Sequence, residues 1–192
     1  MRTLLLFFLL CAPALRAAVA SDPEVASAIR LLEAWIEAQM VYRGQPGLSI
    51  GIVHDQELVW ARGFGFADRE KRIPATPKTI YRMASNTKMF TAMAILQLRD
   101  EGRLQLDDPV AKYLPWFKIR NRHPDAPVIT IRHLLTHTSG LPREAPFPYW
   151  TDLKFPSRQQ VIDALPGQET VFATETQWKY SNLALALAGE IV

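Results

Sequence analysis

Past Cys11 the sequence contains no cysteine, and Cys11 itself lies in an apolar leader. That excludes a disulfide framework and a thiolate metal site for the rest of the chain. A strong charge of either sign is also missing. The 192 residues carry 22 basic and 19 acidic side chains. Taking away residues 1–20 removes Arg2 and Arg16 and leaves 20 basic against 19 acidic groups, a net charge of +1. Nothing in that balance calls for nucleic acid or an anionic membrane. The apolar run Leu4–Cys11 falls well short of the ~20 residues that a stable membrane span requires. The pair Gly63-Phe64-Gly65 lacks the third glycine of a dinucleotide loop, and no helical pattern follows it. It reads instead as a strand with small residues on one face. There is no internal repeat, no low-complexity tract and no G-x-S-x-G elbow.

The first twenty residues read as a leader. Arg2 gives a positive start, Leu4–Cys11 an apolar centre, and Ala18-Val19-Ala20 a small-residue cleavage site. This is a secretory signal peptide, so the protein is expected to be secreted or periplasmic. Residues 21–192 are long enough for one domain with a real core.

Val25, Ile29, Leu32, Ile36 and Met40 recur every three or four residues and predict an amphipathic helix over 23–41, ended at Gly44. Alternation at Leu48, Ile50 and Ile52, and again at Leu58, Trp60, Phe64 and Phe66, predicts two strands joined by a polar turn at 54–57. Residues 68–80 read as a loop. Asp108 reads as the N-cap of a short helix with Pro109 at its first position. Thr130 caps another, and Ser157-x-x-Gln160 is a capping box. Residues 141–156 hold four prolines among aromatic side chains, an arrangement suited to walling a pocket. The last helical pattern stops at Val192 without a cap, and two strands alone make a poor sheet. Both features predict a truncated chain.

The chemistry centres on Ser85-Asn86-Thr87-Lys88. Ser85 heads an apolar helical pattern (Met89, Ala92, Met93, Ile95, Leu96), and Lys88 lies one turn on, on the same face. A hydroxyl beside a lysine is one form of activated nucleophile. Ser-x-x-Lys is a weak signal by itself, since a chain of this length shows about one by chance. Ser85 also suits a plain helix N-cap. Tyr180-Ser181-Asn182 stands 95 positions further on, ahead of a final helix.

These two motifs, with His137-Thr138-Ser139-Gly140-Leu141 between them, resemble the serine β-lactamase-like hydrolases. That superfamily takes in class C β-lactamases, D-alanyl-D-alanine carboxypeptidases and β-lactamase-like esterases. The segments 104–110 and 129–135 follow in the expected order, and the resemblance runs from about residue 24 to the end. It implies an α/β (α+β) fold, with an antiparallel sheet flanked by helices and a helical region carrying Tyr180. It also implies Ser85 as nucleophile of an acyl-enzyme, Lys88 as its assistant, Tyr180 as base or proton shuttle, and Asn182 as a substrate-binding residue. No metal and no cofactor are implied. His133 and His137 stand four apart, yet they lack a third ligand of clear position.

A lysine near its ordinary pKa of about 10.4 is almost never neutral at pH 7. Lys88 therefore serves as the base only if strongly desolvated, or else it stays charged and makes Tyr180 the base. The sequence leaves both open. Two departures from the family pattern stand out. Thr174-Glu175 occupies the place of a usual Pro-Gly, and no Lys-Thr-Gly or His-x-Gly follows on a late strand. The implied substrate is an ester, a β-lactam or a D-alanyl peptide. The rival readings are a penicillin-recognising binding or sensor protein that does not turn over, and an inactive fragment.

Overall fold

The computed structural model describes residues 19, 22–149, 151–152 and 154–192. The leader expected over 1–20 lies, apart from Val19, outside the described residues. The chain divides into two compact units, Met1–Arg82 and Met83–Val192.

In the first unit, α1 (Pro23–Arg43) begins where the Asp22 carboxylate accepts from the Glu24 N–H, with Pro23 at its first turn. It ends at Gly44, which takes the left-handed conformation that closes a helix. Strands β1 (Gly47–His54) and β2 (Glu57–Asp68) pair antiparallel through a two-residue turn. Asp55 and Gln56 in that turn both have positive φ, 49° and 67°. This is the geometry that suits the twist of the flanking strands. The helical stripe faces inward as its spacing predicts. Ile36 is buried, and Arg62 of β2 reaches Glu33 of α1 at 2.7 Å.

Residues 68–80 are not wholly loop. Ile73–Pro74 forms β3, which pairs with Phe66 and Asp68 at the far edge of the sheet. Two residues, one of them proline, are too few to register as alternation, and an edge position tolerates the missing N–H. Gly63 explains the small-residue face. A Cβ there would stand 2.1 Å from the Ala75 carbonyl oxygen, so only glycine lets the β3 side approach.

The second unit is helical: α2 (Thr87–Asp100), α3 (Val110–Tyr113), α4 (Ile131–Thr136), α5 (Arg158–Ala164) and α6 (Asn182–Ile191). Its core joins Ile95, Leu104, Val110, Leu134, Leu141 and Leu187. Segments 104–110 and 129–135 lie side by side. Val110 N–H donates to the Ile129 carbonyl, Arg132 N–H to that of Leu106, and the Arg132 guanidinium forks onto Asp107 at 2.7 and 2.8 Å. Both predicted caps form: Ser157 pairs with Gln160 as its spacing predicts, and Thr130 pairs with His133, a partner the sequence reading did not name.

Three details differ from the sequence reading. Pro109 itself is the N-cap of α3, because the Asp108 carboxylate turns back to accept from the Gln105 N–H and the Tyr113 hydroxyl. Helix α2 starts at Thr87, and Ser85 sits in a 3-10 turn, Ala84–Asn86, just ahead of it. The stripe Met89, Met93, Leu96 is exposed, whereas Ile95 is fully buried. Among the described residues no helix is long and apolar enough to cross a membrane.

Candidate active site

Ser85, Lys88, Tyr180 and Asn182 all belong to the second unit, and the fold brings the four together. The i, i+3 spacing sets Lys88 one turn below Ser85, with Nζ 3.4 Å from Oγ. Ser85 does not cap α2. Its hydroxyl instead shares a 2.6 Å hydrogen bond with the Tyr180 hydroxyl. The Lys88 ammonium donates to Asn182 Oδ1 at 2.6 Å and lies 4.8 Å from the centre of the Tyr180 ring. Ala84, just before the nucleophile candidate, has φ 46°. A non-glycine residue holds that conformation at a cost of about 1 kcal/mol or more, which the surrounding turn must supply.

Tyr180 is aimed by its chain neighbours as well as by its hydroxyl. Lys179 N–H donates to the His137 carbonyl at 2.8 Å, and Ser181 N–H donates to His137 Nδ1 at 3.2 Å. The His137 ring stacks on Tyr180 with centroids 4.7 Å apart. Ser181 is the buried N-cap of α6, accepting from Ala184 N–H and donating to the Pro142 carbonyl. Asn182 is therefore the first helical residue, not part of an extended segment with Tyr180. The two side chains still converge, because the cap turns the chain between them.

Electrostatics follow from this packing. The Tyr180 phenol is held below its ordinary pKa of 10, first by hydrogen bonding toward the Lys88 ammonium and second by the Ser85 hydroxyl. His137 is pushed below its usual value by burial and then by the Lys88 charge, which favours the neutral ring. With Nδ1 accepting from Ser181, the neutral tautomer carries its proton on Nε2.

Sequence reasoning missed three contributors. Glu144 accepts from Asn182 Nδ2 at 2.5 Å. Arg143 places its guanidinium 5.5 Å from the Tyr180 ring centre, and its carbonyl accepts from Asn182 N–H. His137 clamps the Tyr180 segment. For Arg143 and Glu144 the available signal was their position in the proline-bounded loop after His137, and for His137 its place in the motif His137–Leu141, which did not show this role. The histidine pair does not gather as ligands: His133 is buried between Thr130 and Glu175, with Nε2 2.8 Å from the Glu175 carboxylate. Among the described residues no group of three or more histidine, cysteine or acidic side chains is placed to hold a metal ion. Glu175 also answers the missing Pro-Gly, since it adopts φ 66° where a glycine would be expected.

The Ser85 side opens onto a cavity of about 400 Å³ bordered by Lys88, Glu144, Tyr149, Phe155 and Asn182. The aromatic loop thus walls a pocket, as its composition suggests. A larger cavity of about 590 Å³ in the first unit, beside Arg62 and Phe64, holds no serine.

Residues 32–192 match the beta-lactamase family. The chain belongs to that family, within a superfamily of serine hydrolases. Protein flp of Staphylococcus aureus is 39% identical over 147 residues, covering 77% of this chain and 29% of its own. The solved octameric penicillin-binding protein homologue from Pyrococcus abyssi is 36% identical with a TM-score of 0.71, over 85% of this chain and 38% of that one. EstCE1, a hydrolase with promiscuous acyltransferase activity, is 29% identical with a TM-score of 0.67, over 80% of this chain and 43% of that one. The chain thus spans under a third of the length of the curated relative and about two fifths of the solved structures.

Proposed function

We propose that the full-length protein is an exported serine hydrolase that works through an acyl-enzyme on Ser85, with Tyr180 as the proton carrier. The observation that carries this reading is the Ser85 hydroxyl, which meets Tyr180 at 2.6 Å and Lys88 at 3.4 Å instead of capping its helix. Lys88 stabilises the phenolate form of Tyr180, which favours the tyrosine as base. Tyr180 takes the Ser85 proton as Oγ attacks the substrate carbonyl, then returns it to the leaving group. Water completes the cycle by the same route. The Ser85 N–H, at the start of a helix and without an acceptor among the described residues, is suited to hold the developing oxyanion. Asn182 keeps Lys88 in place and borders the substrate cavity. The substrate is an ester, a β-lactam or a D-alanyl peptide.

The test is acylation of the full-length protein by a chromogenic ester and a cephalosporin. Ser85→Ala should abolish both labelling and turnover. Tyr180→Phe should slow acylation by about two to four orders of magnitude, the range of a lost general base. A Ser85→Ala protein still labelled by a fluorophosphonate overturns the reading. Stoichiometric labelling without turnover would instead mark a penicillin-recognising binder.

A further inference from the structure

The cavity beside Ser85 has a chemical bias that the four motif residues do not explain. Its walls are mostly apolar, from Ala145, Phe155, Val161, Leu183 and Ala186. A second cavity of about 160 Å³ shares Tyr149, Phe155, Val161, Leu183 and Ala186 with it and extends the apolar surface toward Trp116. Together they suit a hydrocarbon or ring-sized group attached to the reacting carbonyl.

Asn182 is the residue that would ordinarily greet a polar group there, yet both its ends are engaged. Its oxygen receives the Lys88 ammonium at 2.6 Å, and its amide nitrogen donates to Glu144 at 2.5 Å. Both bonds involve a charged partner, which makes them stronger than neutral ones. A ligand carbonyl seeking the Asn182 amide must therefore compete with a carboxylate.

The Glu144 carboxylate itself is only half engaged. Oε1 takes Asn182 and stands 3.5 Å from Arg143 Nε, while Oε2 has no partner among the described residues. The side chain is 19% exposed and lines the cavity, as does Lys88. Its charge is also felt at Tyr149 of the same cavity: the phenol's pKa is raised by burial first and by Glu144 second. A carboxylate only accepts hydrogen bonds, and apolar walls strengthen its attraction for a cation. It disfavours a carbonyl or carboxylate in the same place.

We propose that this pocket selects acyl groups with an apolar, ring-sized body bearing an ammonium, which Glu144 binds through its free oxygen. The proposal rests on the reading of Ser85 as nucleophile.

The experiment compares two p-nitrophenyl esters of near-equal shape on the full-length protein, that of 3-phenylpropanoic acid and that of phenylalanine in both enantiomers. It is run at pH 6, where an α-amino group of ordinary pKa about 7.7 is protonated. The wild-type kcat/KM should be higher for one phenylalanine ester than for the uncharged ester. Glu144→Gln, of equal size, should lower that ratio about tenfold or more, the range for a lost charge-assisted contact in a partly dry site. Glu144→Asp should retain part of it. A wild-type preference for the uncharged ester, or a ratio unchanged in Glu144→Gln, overturns the pocket assignment while leaving Ser85 in place. Turnover of both esters by Ser85→Ala overturns the nucleophile reading and the pocket with it.

Discussion

His137 touches the chain on both sides of Tyr180 and the ring between, so one residue fixes where the phenol points. His137→Phe keeps a flat ring but removes the acceptor for the Ser181 N–H, leaving that donor unpaired. The expected outcome is a fall in kcat of about tenfold or more with KM little changed, since substrate contacts remain. A stability loss of about 1–3 kcal/mol, typical of an orphaned buried donor, should accompany it in urea melts. The pH behaviour has a definite sign. His137 has a lowered pKa in the fold, so the unfolded chain binds the proton more readily. Stability from this group is complete above its ordinary 6.5 and falls as pH drops below that value. His137→Phe should flatten that acid slope. Tyr180 is also lowered, so acylation should rise with pH and level off below 10. Lys88→Met should push that rise to higher pH, measured as single-turnover acylation against pH. A rise that stays in place would show that Lys88 does not set it.

Among the elements, those that local chemistry specifies were legible in the sequence. Thr130 and Ser157 announce α4 and α5 because a capping side chain and its partner three residues on form a closed local unit. Gly44 ends α1 for an equally local reason. Helix α2 was harder to orient, because Met89, Met93 and Leu96 form one apolar stripe and Ala92 and Ile95 the next. Periodicity cannot choose between two apolar stripes; packing buries Ile95. Glu144 and Arg143 were invisible for a related reason. Their roles depend on a loop meeting the start of α6, a contact between residues 38 positions apart. The turn before Tyr180 gives an element-scale test. Glu175 bears the strain of φ 66° and repays it with the His133 contact. Glu175→Gly relieves the strain and loses the contact, so the net change should stay within about 1 kcal/mol. Glu175→Ala keeps the strain and loses the contact, and should be the less stable of the two in chemical denaturation.

For the whole molecule, two motifs in order across 95 positions carried more than either alone. The family match over residues 32–192 agrees with the resemblance they suggested. The expected leader adds a test at this scale. Expressed with its own first twenty residues in a bacterium that exports proteins, the chain should be recovered with Ser21 as its amino terminus. Edman sequencing that returns Met1 would count against export. A broader consequence comes from the line of contacts Glu144–Asn182–Lys88 beside Tyr180. The group proposed to meet the substrate and the group that lowers the phenol's pKa hold opposite ends of one amide. An exchange at Glu144 that widens the range of substrates also loosens the grip on Lys88. On the proposed roles, substrate range and working pH are coupled, and a lineage that changes one must retune the other.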